Sequence, residues 1–320
     1  MDLEGMDLEG MDLENMDLDS KAGFVTVIGR PNTGKSTLIN SLMGSKVTIT
    51  SFHPNTTRNP IRAILTRTKY QIIFVDTPGI QKSLNALGDR LNEMVAQNAG
   101  DTDLLIFTLP ADEEIGSGDS YIVKQYLSGK AKFIVAVTKT DKVNSEKLML
   151  KLAAISNFLA ENKIEALEII PITSQIPDQA LYFEEQIAKH LPASPMLYPS
   201  EISLDQALEL TVAEFIREAA IAKLQQELPH SVMVTIEEIS KRGSKDFYDI
   251  YANLHVERDS QKGILVGEKG SRIKEIGSTA RVEIEKFLEA KVFLSIQVKV
   301  SKDWQKDPKA LARFGFIDTN

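Results

Sequence analysis

The chain has 320 residues, 42% of them hydrophobic and 26% charged, and no cysteine. That length favours about two globular domains, and the missing thiols exclude a disulfide scaffold, a cysteine nucleophile, a zinc knuckle and an iron–sulfur site. The formal net charge of −8 sits in residues 1–20, which hold eight acids and no base, so residues 21–320 set 37 acids against 37 bases. A neutral body neither requires nor forbids a nucleic-acid partner; local patches must decide.

Residues 1–20 repeat a five-residue unit, MDLEG MDLEG MDLEN MDLDS. No helical or strand period fits it, and the composition predicts a disordered acidic extension. It lacks the basic start and apolar stretch of a secretory signal. The longest apolar runs downstream, such as Leu104–Leu109, fall far short of the ~20 residues that span a bilayer.

From residue 21 to 192 short apolar runs alternate with helical stretches. Phe24–Ile28, Ile72–Val75, Leu104–Leu109, Phe133–Val137 and Leu167–Ile172 are apolar on both faces, as buried parallel strands are. Arg62–Thr66 and Tyr70–Phe74 predict one antiparallel hairpin. The alternation predicts a doubly wound α/β domain. Residues 193–202, rich in proline, read as a linker. Residues 203–320 read as a smaller α+β domain in the order helix–strand–strand–helix–helix–strand, with a tail in which Asp307 and Pro308 start a last helix.

The chemistry concentrates at strand ends. Residues 29–36, GRPNTGKS, lie between a strand and a helix, the context of a phosphate-binding loop. Its candidate nucleotide contacts are Gly29, Asn32, Thr33, Gly34, Lys35, Ser36 and Thr37. Lys35 would neutralise the β/γ-phosphates and Ser36 would offer its hydroxyl to Mg²⁺. Asp76 opens DTPG at the end of a strand, placing a carboxylate for Mg²⁺ and the Gly79 N–H for a γ-phosphate. Between them, PNTTR at 54–58 offers two threonines, of which Thr57 is the preferred third Mg²⁺ group and switch residue. TKTD follows at Thr138, Lys139, Thr140 and Asp141. A carboxylate at Asp141 accepts the N1 and 2-amino protons of guanine, a pattern adenine does not present. Thr173 and Ser174 follow the last strand, where a backbone N–H can donate to guanine O6. Lys35, Asn32, Thr57 and Gly79 form the candidate catalytic set. Ile80 stands in the region where many GTPases place a water-orienting glutamine, so hydrolysis needs another group, a bound cation or a partner.

In the second domain, Gly267, Glu268, Lys269 and Gly270 form a GxxG turn between two helices. Residues 258–274 carry five bases and two acids, a local charge of +3. Small residues let a nucleic-acid backbone approach closely. Lys262, Gly267, Glu268, Lys269, Gly270 and Arg272 are the candidate RNA contacts. The four histidines are scattered, and Trp304 reads as a packing anchor for the tail.

Over roughly residues 21–320 the chain resembles the Era family of bacterial ribosome-associated GTPases. The resemblance rests on GRPNTGKSTLIN, PNTTR, DTPGI with Leu87–Gly88, TKTD, and above all ERDSQKGILVGEKGSRIKEIGSTAR, which is similar to the family's KH signature. Thr33, Thr138 and Thr173–Ser174 depart from the residues usual at their positions, and the Thr138 hydroxyl can partly replace the missing asparagine amide. The resemblance implies a Ras-like G domain followed by a type II KH domain. It implies slow hydrolysis of GTP to GDP with Mg²⁺, binding to the 3′ region of small-subunit ribosomal RNA, and a role in small ribosomal subunit maturation in the cytoplasm. Some relatives associate peripherally with the inner membrane. Asn32 matches a position at which related GTPases bind K⁺, which predicts K⁺-stimulated turnover. With no coiled-coil repeat, a monomer is expected. Two rival readings are a tRNA-modifying or transport GTPase, for which no cofactor domain or membrane helix is visible, and a scaffold whose GTP site only stabilises the fold.

Overall fold

The computed structural model describes residues 20–48, 60–83, 85–129, 132–173, 176–222, 232–243 and 246–316. Residues 1–19 of the acidic repeat and the PNTTR segment lie outside the described residues.

The first unit is built from β1 (Lys21–Ile28), α1 (Lys35–Met43), β2 (Ile61–Thr66), β3 (Tyr70–Asp76), α2 (Ala86–Gly100), β4 (Leu104–Pro110), α3 (Ser117–Ile122), β5 (Phe133–Thr138), α4 (Ser145–Glu161), β6 (Glu168–Pro171) and α5 (Pro177–His190). Its sheet runs β6-β5-β4-β1-β3-β2 and ends on β7 (Leu204–Asp205). Strands β3, β1, β4, β5 and β6 are parallel, and β2 returns antiparallel on β3 as the predicted hairpin. Every residue of β4 and β5 is buried, because helices cover both faces. The period of two is visible along β4. Leu104 and Ile106 enter the core shared with α1 and α5, while Leu105, Phe107 and Leu109 enter the core shared with α2, α3 and α4. Asn85 and Asn144 cap α2 and α4 through their side-chain oxygens, and Pro177 opens α5.

Two boundaries differ from expectation. β1 starts at Lys21 rather than Phe24, because Lys21, Ala22 and Gly23 pair with Tyr70, Gln71 and Ile72. The second domain does not begin at 203: Leu204 and Asp205 pair with Ala63 and Arg62, so the chain adds an edge strand to the first sheet after the linker. The linker itself is held down. The buried Gln71 side chain accepts from the backbone N–H groups of Leu197 and Tyr198 and donates to the Tyr198 carbonyl.

The second unit contains α6 (Leu208–Ala222), β8 (Met233–Lys241), β9 (Phe247–Val256), α7 (Asp259–Val266), α8 (Ser271–Leu288) and β10 (Lys291–Val300). The order αββααβ is the predicted one. Strands run β10-β9-β8, with β9 and β10 parallel and β8 antiparallel to β9. Val212, Ala219, Ile250, Leu254, Ile276, Ala280 and Ile284 build the core between helices and sheet. A separate cluster is formed by the chain after β10. There Trp304, fully buried, lies edge-on to Phe314 and stacks on Phe316, with α9 (Pro308–Arg313) capped by Asp307. Met233 of β8 and Leu87 and Leu91 of α2 complete that cluster, so α2 of the first unit packs on the tail of the second.

Candidate functional site: a phosphate loop and a basic glycine turn

The predicted nucleotide residues converge at the carboxyl ends of β1, β3, β5 and β6, the crevice where open α/β sheets bind ligands. The loop from Gly29 to Gly34 leaves β1 and opens α1 through Gly34 in the left-handed conformation, φ 92°. A side chain at Gly29 would fall 2.2 Å from Thr108 Oγ1, so only glycine fits there. Lys35 is buried and its ammonium donates to the carbonyls of Gly29 (3.2 Å) and Arg30 (2.8 Å). Burial lowers its pKa to about 8, with Asp76 opposing that shift and Arg30 adding to it. An ammonium held among loop carbonyls gains much from an arriving phosphate.

Ser36 Oγ donates to Asp76 Oδ2 at 2.7 Å, bringing two predicted Mg²⁺ groups together on adjacent elements. A hydroxyl and a carboxylate are the hard oxygen donors that Mg²⁺ takes alongside phosphate oxygens, so the residues fit the ion. Gly79 closes against the loop. The Ile80 N–H donates to the Gly29 carbonyl at 3.0 Å, and a Cβ at Gly79 would lie 2.7 Å from Pro31 Cα and N. Ile80 itself is buried in the core with Ile28, Val95 and Phe107. Thr37 and Asn32 are exposed, and Asn32 adopts φ 63°. Thr57 and Ser174 lie outside the described residues.

The departures from the usual motif residues fit one another. Thr33 is fully buried, shares a 2.6 Å hydroxyl contact with Thr108, and donates to the Arg30 carbonyl. The Thr138 hydroxyl donates to the Thr33 carbonyl at 2.6 Å, and Thr138 Cβ would stand 3.4 Å from a Cβ at Gly34. The guanine motif thus rests on the phosphate loop through a hydroxyl where an amide is usual. Lys139, in the left-handed region at φ 57°, and the exposed Asp141 follow. Thr173 Oγ1 donates to Asp141 Oδ1 at 2.9 Å, orienting the carboxylate that would read guanine.

Sequence reasoning missed the acids that brace this crevice. Asp119, fully buried, accepts from Arg30 Nε at 2.8 Å, and Glu113 accepts from Arg30 Nη2 and from Lys139 Nζ. No sequence motif links residues 30, 113, 119 and 139; the sheet alone brings them together.

The GxxG turn is built differently. It joins α7 to α8 through Gly267 (φ 71°), Lys269 (φ 49°) and Gly270 (φ 78°). Lys262, Glu268 and Lys269 are exposed. Arg272 is not a free surface cation: its Nη1 donates to the Ile264 carbonyl at 3.0 Å, tying the start of α8 to the end of α7. A Cβ at Gly267 would meet Arg272 Cβ at 2.8 Å.

Among the described residues, no helix is long and apolar enough to cross a membrane, and no group of three or more His, Cys, Asp or Glu side chains is placed to hold a metal ion.

A phosphate loop, a strand-end aspartate and an aspartate placed for guanine, on a doubly wound sheet followed by αββααβ, define a GTPase with a KH domain. Two family signatures agree, one described as 50S ribosome-binding GTPase over residues 24–139 and one as KH domain over residues 227–305. The chain is 46% identical over 299 residues to GTPase Era of Mycobacterium tuberculosis, covering 92% of this chain and 98% of that one. It is 44% identical to GTPase Era of Mycobacterium avium, covering 92% and 99%. The chain belongs to the GTPase Era family. Two solved structures match with TM-score 0.88 and 33% identity, over 93% of this chain and all of theirs. One is Era in complex with MgGDPNP and nucleotides 1506–1542 of 16S ribosomal RNA, and the other is an Aquifex aeolicus Era variant bound to GDP·AlF4⁻.

Proposed function

We propose that this GTPase is a switch that grips the 3′ region of small-subunit ribosomal RNA through its KH turn and acts in small ribosomal subunit assembly. The observation that carries the reading is a physical connection between its two halves. α2 begins at Ala86, seven residues after Gly79, and its Leu87 and Leu91 pack on the tail behind β10. The Leu87 N–H also donates to the Gln305 carbonyl. On the other side of the site, Lys46 pairs with Glu218 of α6 at 2.6 Å and with Glu283 of α8 at 3.2 Å. A change of nucleotide state at Gly79 therefore has a route to the KH domain through α2, and Lys46, which follows α1, gives the G domain a second contact with it. The G domain runs to Asp205 and the KH domain with its tail follows.

Each site residue has a proposed task. Lys35 neutralises β- and γ-phosphate charge, and the backbone of Gly29, Asn32, Thr33, Gly34 and Thr37 cradles the phosphates. Ser36, Asp76 and Thr57 hold Mg²⁺. Gly79 donates its N–H to the γ-phosphate. Asp141 accepts from guanine, with Lys139 beside the base, Thr138 and Thr173 orienting the pair, and Ser174 supplying a backbone donor. The ion supplies charge neutralisation of the transferred phosphoryl group when bound. Ile80 is sealed in the core and cannot orient water, so we assign the missing charge to K⁺ near Asn32. Equal turnover in K⁺ and Na⁺ at matched ionic strength would reject that assignment. The protein works as a cytoplasmic monomer with peripheral contact to the inner membrane.

RNA binding rests on Lys262, Lys269 and the backbone of Gly267, Glu268 and Gly270, with Arg272 holding the turn. The test is GTP turnover with and without RNA carrying the small-subunit 3′ end. Turnover should rise with that RNA and vanish in Lys35→Ala. Lys269→Glu should weaken RNA binding, most at low salt, and leave GTP binding intact. Unchanged RNA affinity in Lys269→Glu would count against the KH assignment.

A further inference from the structure

The loop between β4 and α3 belongs to none of the nucleotide motifs, yet its acids join two of them. Glu113 Oε2 lies 3.1 Å from Arg30 Nη2 in the phosphate loop, and Glu113 Oε1 lies 2.9 Å from Lys139 Nζ in the guanine motif. Asp119 fixes the other side of the same guanidinium, at 2.8 Å from Arg30 Nε, and its second oxygen accepts from the Gly116 N–H. Asp112 stands 3.8 Å from Lys139 and 3.3 Å from Lys142. Lys151 of α4 donates to the Glu113 backbone carbonyl at 2.5 Å, so the loop backbone is anchored independently of the Glu113 carboxylate.

We infer that Glu113 is a positioning residue for guanine nucleotide, fixing Lys139 at a set distance from the phosphate loop. The inference rests on the GTPase reading of this site. Arg30 and Lys139 are both cations, and the shared carboxylate lets them approach from opposite sides of the crevice. A nucleotide held at its base and at its phosphates gains from a frame whose two ends cannot drift apart. Asp119 secures Arg30 but reaches nothing in the guanine motif. Among the described residues, Glu113 alone has a carboxylate hydrogen-bonded to both motifs. Its role acts on binding rather than on the reacting phosphate, because neither partner is a proposed Mg²⁺ group.

The test compares release of fluorescent GDP and steady-state GTP turnover in the wild-type chain, Glu113→Gln, Glu113→Lys and Glu114→Gln. The last makes the same charge change on the neighbouring residue and controls for the field of the loop. Glu113→Gln should release GDP about tenfold faster and raise KM for GTP by a similar factor, a factor expected for one charge-assisted tie. Glu113→Lys should do more, and kcat at saturating GTP should stay within about twofold for both. Added salt should speed GDP release from the wild-type chain more than from Glu113→Gln. GDP release at the wild-type rate in folded Glu113→Gln, an equal effect in Glu114→Gln, or a fall in kcat at constant KM would each overturn the inference. A wild-type chain that binds no guanine nucleotide would instead overturn the GTPase reading beneath it.

Discussion

The phosphate loop and the GxxG turn are both glycine turns opening a helix, and the proposed role of both is to meet phosphate. They are supported in opposite ways. The phosphate loop is pinned from inside: Lys35 lies on its carbonyls, Thr33 and Thr138 bond across it, and Gly79 touches Pro31. The GxxG turn is held by short-range backbone hydrogen bonds, Gly267 N–H to the Gly263 carbonyl and Gly270 N–H to the Gly267 carbonyl, and by Arg272 on the Ile264 carbonyl, while its Lys269 and Glu268 stand in solvent. A site that stabilises a developing charge must not reorganise during the reaction, whereas a site that follows an RNA backbone gains from some give.

That contrast can be broken most severely at Gly79. Any side chain there drives the DTPG segment away from Pro31, and displacement on the ångström scale costs about a hundredfold in rate. Gly79→Ala should lose kcat/KM for GTP to that extent while RNA binding by the KH domain persists. The matching change at the second turn should cost less. Gly267→Ala places a Cβ against Arg272 and strains a backbone at φ 71°. That strain amounts to about 1–2 kcal/mol, so RNA affinity should fall about tenfold with GTP turnover unaltered. Equal losses from the two substitutions would remove the distinction.

The smallest effect is a titration. Burial holds the Lys35 pKa at about 8 before phosphate arrives. Bound phosphate stabilises the ammonium, so the complex keeps a proton that the free site loses as pH rises through 8. GDP binding should take up a proton above pH 8 and weaken about threefold between pH 7.5 and 8.5. Calorimetry in two buffers of different ionisation heat reads the proton directly. Proton uptake that persists in Lys35→Met would assign the titration to another group.

What the sequence revealed of this architecture was local. The strands, the phosphate loop, the DTPG turn and the GxxG turn are contiguous segments whose periodicity or glycine spacing dictates their conformation. Two threonines that depart from custom, Thr33 and Thr138, were visible one at a time. Their mutual support passes between the phosphate loop, β4 and β5 and exists only in the folded domain. The same holds for Glu113 and Asp119, which belong to no sequence motif and stand 83 and 89 residues from Arg30. Ile80 read as a vacancy in the catalytic set, and the structure shows why it is apolar: it fills the core beneath β1. Edge strand β7 carries only two residues, too few to leave any periodic signal.

That short strand has a mechanical consequence. A free tether of ten flexible residues would let the KH domain wander over roughly 17 Å. Here the connecting chain is sewn to Gln71 and then to β2, and Tyr198 donates to Asp205 to lock the end of the seam. The KH domain therefore starts from a point bonded to β2. The tether between the two halves is thus bonded to the sheet as far as Asp205, and its path is set by side-chain geometry and not by chain statistics.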